Sequence, residues 1–175
     1  NIIDTDTSTT DNEIKEKTPQ NFRLTEFSGE NISLKMKYRN NINAIKTLLN
    51  IERENKQATV EEQEILAKYV GWGGLSDVFD SSKTAWSNEY AELKELLAPD
   101  EYAAARSSTL NAHYTSPIII KAMYNALDNM GFEKGRILEP AMGTGNFFGM
   151  LPEQMEGSKL YGVELDSLTG RIAKQ

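Results

Sequence analysis

Two carboxylates, Glu139 and Glu164, stand 25 residues apart on either side of a glycine turn, Glu139-Pro-Ala-Met-Gly-Thr-Gly145. The short apolar run Ile137-Leu138 ends on the first acid, and Lys159-Leu-Tyr-Gly-Val-Glu-Leu165 carries the second near its end. Strand, glycine turn, helix, strand and acid is the order with which a doubly wound sheet holds a nucleoside-bearing cofactor. Gly143 and Gly145 let the backbone pass under a ligand with no Cβ in the way. Glu164 falls where a carboxylate accepts hydrogen bonds from ribose hydroxyls.

The glycine spacing separates the cofactors. A dinucleotide turn calls for Gly-x-Gly-x-x-Gly, and here the sixth position from Gly143 is Phe148. A phosphate-binding P-loop requires Gly-Lys-Ser/Thr, which this turn does not contain. A second segment, Asn111-Ala-His-Tyr-Thr-Ser-Pro117, precedes a helical pattern over Ile118–Met130. Ser116 suits an N-cap and Pro117 a first helical turn. Ile119, Met123, Ala126, Leu127 and Met130 recur at helical spacing and predict that helix's apolar face.

Glu139 to Phe147 resembles motif I of the S-adenosylmethionine-dependent N6-adenine DNA methyltransferases, usually Asp-Pro-Ala-x-Gly-Ser/Thr-Gly-x-Phe, with Glu in place of the commoner Asp. Tyr114-Thr-Ser-Pro117 resembles the same family's motif X, and Glu164 its motif II acid. The resemblance implies S-adenosyl-L-methionine as cofactor. It implies a binding set of Tyr114, Thr115, Ser116, Glu139, Pro140, Ala141, Met142, Gly143, Gly145, Phe147, Glu164 and Leu165. In that set Glu164 takes the ribose hydroxyls and Glu139 faces the cofactor's ammonium. The backbone of Ala141, Met142 and Gly143 runs under its amino-acid part, and Tyr114, Thr115 and Ser116 meet the methionine end. Phe147 lies at the pocket wall or in the core. A helix N-terminus near Thr115 suits the methionine carboxylate physically.

The family's catalytic Asn/Asp-Pro-Pro-Tyr/Phe motif does not occur in these residues. The chain therefore reads as the cofactor-binding portion of a longer protein, expected not to methylate by itself. Residues from about Asn21 onward resemble the opening of large proteins of conjugative elements and phages that fuse a methyltransferase to a superfamily 2 helicase. The resemblance implies DNA as partner, contacted through other parts of the parent protein. The acidic balance runs the same way: 13 basic against 19 acidic side chains in residues 1–110, and 6 against 7 in residues 111–175. No run of Lys and Arg with interleaved aromatics marks a nucleic-acid grip.

The elements that position these residues read as α/β, a helical N-terminal region followed by the first part of a Rossmann-like methyltransferase sheet. Residues 1–20 are polar and read as a disordered tail. Residues 21–110 read as mostly helical, and 111–175 as the partial Rossmann-like domain. Asn21–Phe27 predicts a strand or extended arm, and Ser28–Asn31 a turn. A helix is predicted over about Asn40–Glu54. A second opens at the capping box Thr59-Val-Glu-Glu62 and runs through Val70 to the glycines of Gly71-Trp-Gly-Gly74. Ser87 is expected to cap a third, and Pro99 to start a fourth over Asp100–Arg106.

Trp72 is expected to plug a core, the alternative being a platform for a base or for the cofactor's adenine. His113 is expected to pack beside the pocket without a catalytic role. Zero cysteines and a single histidine exclude disulfides and multi-histidine metal sites, and no apolar run is long enough for a membrane span. A cytoplasmic protein without membrane contact is expected, able to dimerise through an exposed sheet edge. The alternatives in function are a non-catalytic interaction or anti-restriction module of methyltransferase-like shape, and a methyltransferase of RNA or protein. A nicotinamide oxidoreductase is disfavoured by the glycine spacing.

Overall fold

The computed structural model describes residues 21–24 and 32–175. The expected tail over 1–20 and the turn Ser28–Asn31 lie outside the described residues, as do residues 25–27 of the predicted arm. Asn21–Leu24 forms no regular element. Its Leu24 N–H donates to the Gly149 carbonyl at 2.9 Å, and the Arg23 guanidinium reaches the Leu151 carbonyl and Glu156.

The Ser33 hydroxyl accepts from the Met36 amide at 3.2 Å and opens α1 (Leu34–Glu54), six residues before the expected start. Ahead of Asn40, Leu34, Met36 and Tyr38 alternate with Lys35, Lys37 and Arg39, a spacing that hid the first turns, yet Tyr38, Asn41, Ile45 and Leu48 continue one buried line. Asn55, in the left-handed conformation at φ 48°, ends it. The Thr59–Glu62 capping box forms as predicted and opens α2 (Val60–Leu66). That helix ends at Leu66, short of the expected Val70. The Val70 N–H and Gly71 carbonyl leave the helical ladder and bond the Asn41 side chain instead.

After 3-10 turns at Ser76–Phe79 and Thr84–Trp86 come α3 (Ser87–Leu96) and α4 (Pro99–Ser108). Ser87 is the first helical residue rather than the cap, and it makes no capping bond. Pro99 opens α4 as predicted, and the helix runs two residues past Arg106.

Helix α5 (Pro117–Asn129) follows Ser116, whose carbonyl accepts from Ile119 and Ile120 while its hydroxyl makes no capping bond. The expected apolar face is turned outward: Ile119, Met123, Ala126 and Met130 are exposed. The buried line is Ile120, Tyr124 and, partly, Leu127. Apolar residues surround the start of this helix, so periodicity alone could not choose a face. The Tyr124 hydroxyl, donating to the Phe147 carbonyl at 2.7 Å, helps fix it.

Strands β1 (Arg136–Glu139) and β2 (Lys159–Gly162) pair in parallel, with Arg136 opposite Lys159 and Glu139 opposite Gly162. Between them run α6 (Asn146–Gly149) and a 3-10 turn at Glu153–Met155. The pairing continues past the strands, since Val163 N donates to Glu139 O at 2.9 Å and Met142 N to Val163 O at 3.0 Å. The architecture is thus mostly helical with a two-stranded parallel sheet.

The last helix, α7 (Ser167–Ala173), ties the sheet to the helices. Leu168 and Ile172 enter the large core built by α1 to α4 with Tyr69, Trp72 and Trp86. A smaller core of Ile120, Tyr124, Leu151 and Met155 packs with Ile137 and Leu160 of the strands. The Arg171 guanidinium forks onto Glu52 of α1 at 2.7 Å and reaches Glu101 of α4 at 2.5 Å. Among the described residues no helix is long and apolar enough to cross a membrane.

Candidate functional site

A cavity of about 560 Å³ opens beyond the carboxyl ends of β1 and β2. That is where open α/β sheets take ligands, and the volume falls in the range of small-molecule sites. One wall is the turn Ala141–Gly143 with Glu139, Phe147 and Glu164. The other comes from the helices, through Tyr69, Gly71, Trp72, Asp100, Glu101 and Ala104.

Glu164 organises the sheet side. Its Oε2 accepts from the Gly143 amide at 2.8 Å and its Oε1 from the Asp166 amide at 2.8 Å. One carboxylate thus joins the glycine turn after β1 to the start of α7. Gly143 has φ 57°, a conformation that costs a residue with a Cβ, and a Cβ there would stand 3.2 Å from Tyr114 Cε1.

The Tyr114 ring lies between two glycines. On its other edge a Cβ at Gly71, φ 65°, would stand 3.0 Å from Tyr114 Cε2. Gly71 is fixed by Asn41, fully buried, whose Nδ2 donates to the Gly71 carbonyl at 2.6 Å and whose Oδ1 accepts from Val70 N at 3.0 Å. A contact chain therefore runs Asn41, Gly71, Tyr114, Gly143, Glu164, from the helical core to the strand-end acid. Burial raises the Tyr114 hydroxyl well above the ordinary tyrosine range, with neighbouring Tyr69, Glu164 and Asp166 adding to it. Burial raises Tyr69 likewise.

The cavity's charge is one-sided. Asp100, Glu101, Glu139, Glu164 and Asp166 line it, and among the described residues no Lys or Arg does. Glu101 is answered by Arg171. Glu139 has no ion-pair partner among the described residues, and burial raises its carboxyl above the ordinary range. A half-buried, unpaired carboxylate at a strand end favours a cationic ligand group.

Of the residues expected to bind cofactor, Tyr114, Thr115, Glu139, Ala141, Met142, Gly143, Phe147, Glu164 and Leu165 line this cavity. Ser116, Pro140 and Gly145 do not. Gly145, at φ 88°, serves the turn into α6 and faces a smaller hollow beside Leu24. Phe147 takes both anticipated places, at the cavity wall and against the smaller core. Trp72 is a core residue, 2% exposed and edge-on to Phe79, and also borders the cavity. His113 lies on the rim.

The helical wall escaped the sequence reading. Asp100 and Glu101 look like ordinary first-turn acids of α4, and nothing local links Gly71 to Tyr114. The one available signal was the glycine-flanked aromatic of Gly71-Trp-Gly-Gly74 itself. No protein-family model, no curated protein and no solved structure matches this chain.

Proposed function

We propose that this chain is the cofactor-binding part of an S-adenosylmethionine-dependent methyltransferase, with β1, α6 and β2 as the first unit of a Rossmann-like sheet. The observation that carries the reading is the convergence of Glu139, Glu164 and the Gly143 turn on one acidic cavity at the carboxyl ends of two parallel strands. The donor set fits the cofactor, whose sulfonium and ammonium are cations and whose ribose offers two hydroxyl donors. When bound, the cofactor supplies an electrophilic methyl group.

The chain's own residues bind and orient. Glu164 spends one lone pair of each oxygen on Gly143 and Asp166 and keeps the others for ribose hydroxyls. Glu139 sets its charge against the ammonium. Gly143, with no Cβ, lets the ligand lie close to the backbone, with Tyr114 behind it. Thr115, which lines the cavity just ahead of α5, meets the carboxylate end. An adenine amino group in DNA as methyl acceptor rests on the resemblance of Tyr114–Pro117 and Glu139–Phe147 to the N6-adenine family.

Calorimetric titration of S-adenosylmethionine into the wild type, Glu164→Ala and Glu139→Gln tests the reading. Binding by the wild type, weakened by about tenfold or more in both variants, supports it. Wild-type binding untouched by either variant sinks it, as does the absence of wild-type binding while the fold is intact by circular dichroism.

A further inference from the structure

Helices α3 and α4 repeat one pattern. Tyr90 is followed by Lys94, and Tyr102 by Arg106, each a cation four residues after a tyrosine and so on the same helix face. The two faces meet. They line a hollow of about 510 Å³ closed by the segment around Asp80 and Ser81, and distinct in its lining from the acidic cavity. Lys94 Nζ lies 5.5 Å from the Tyr90 ring centroid and 5.6 Å from that of Tyr102, between the two rings.

Neither cation is held in an ion pair among the described residues, although Arg106 acts on Asp80 of the same hollow at longer range. Among the described residues Lys94 and Arg106 have no carboxylate within ion-pair distance, in a chain whose net charge is −7. The one acid lining the hollow is Asp80, whose Oδ1 is taken up by the Ser82 amide at 2.9 Å and the Ser82 hydroxyl at 2.7 Å. Two aromatic faces beside two unpaired cations match a planar base attached to a phosphate, the base stacking and the phosphate meeting the charge. The charge balance along the sequence could not reveal this, because Lys94 and Arg106 are 12 residues apart and come together only through the α3–α4 turn.

We infer that this hollow is a nucleotide-binding site, taking the phosphate of one nucleotide, in a single strand or free, at Lys94 and Arg106 with its base against Tyr90 or Tyr102. The inference is independent of the methyltransferase reading, since the site shares no residue with the cofactor cavity.

The test is fluorescence anisotropy of a labelled short oligothymidylate at low salt, competed with thymidine 5′-monophosphate and, separately, with polyglutamate. Wild-type binding is expected to fall about tenfold in Lys94→Gln/Arg106→Gln, with a shallower salt dependence, and to fall in Tyr102→Leu with the salt dependence unchanged. Competition by the mononucleotide at comparable concentration identifies a free nucleotide as the ligand. Competition by the oligomer alone identifies a strand. Lys94 and Arg106 are exposed, so their variants are expected to melt with the wild type, and melting curves check this. Absence of binding by the wild type, binding indifferent to both variants, or equal competition by polyglutamate overturns the inference.

Discussion

Asn41 and Gly71 are joined across 30 residues of chain by a 2.6 Å hydrogen bond from the Asn41 amide to the Gly71 carbonyl. The same side chain accepts from Val70 N, so one buried residue satisfies both backbone groups that leave the end of α2. Asn41→Leu keeps the volume and removes both bonds. Two largely buried backbone groups lose their protein partner, at a cost of about 3 kcal/mol. Urea unfolding should show a lower midpoint at an unchanged slope. S-adenosylmethionine affinity should fall too, because Tyr114 loses the backing of Gly71.

The neighbouring glycines separate two physical causes. A Cβ at Gly73 would collide with the Ala112 carbonyl oxygen, whereas one at Gly74 meets nothing within 4 Å and suffers only from φ 76°. Gly74→Ala should therefore cost on the order of 1 kcal/mol, from backbone strain alone. Gly73→Ala should cost more, about 2–3 kcal/mol, because backbone must move against backbone. Gly74→Asn should recover part of the loss, since Asn tolerates the left-handed region, and Gly73→Asn should recover none. Thermal melts of the four variants check the order.

The features read correctly from the chain are those whose cause is local. The Thr59–Glu62 box closes within one turn, and Pro99 sets its own φ, so α2 and α4 begin where the sequence places them. The strand-turn-strand order around Gly143 is likewise carried by adjacent residues. Features decided at long range were misread. The face of α5 turns on Tyr124 finding the Phe147 carbonyl, and the end of α2 on Asn41. The acidic second wall of the cavity depends on α4 being held to α7 through Arg171 and Glu101, 70 residues apart. No periodicity carries that information.

Arg171 gives that fork a pH signature. Its hydrogen bond holds the Glu52 carboxyl below the ordinary glutamate range. A depressed carboxylate contributes stability above its unfolded value and loses it as pH falls through the folded value. Arg171→Met should remove about 1 kcal/mol at neutral pH, a modest figure because the fork is partly exposed. The difference from wild type should shrink on acidification through the carboxylate range. Urea midpoints measured across that range test this, and a constant difference would rule the fork out as the cause.

Glu139 has the opposite sign. Burial without an ion-pair partner raises its carboxyl, so the native state keeps this proton to higher pH than the unfolded chain does. Where the native state binds more protons, stability falls as pH rises. The wild type should therefore lose stability through the upper carboxylate range and stay lower at neutral pH, by less than about 1 kcal/mol for a half-buried group. Glu139→Gln removes the ionisation. It should melt slightly higher than wild type at neutral pH and equal it at low pH. A residue kept only for the fold would improve nothing when left charged, whereas a residue kept for a cationic ligand would. Affinity for S-adenosylmethionine should accordingly drop about tenfold in the same variant that melts higher. Calorimetry and melting curves on one preparation separate the two effects. If stability rises and affinity does not move, the Glu139 carboxylate has no part in the site.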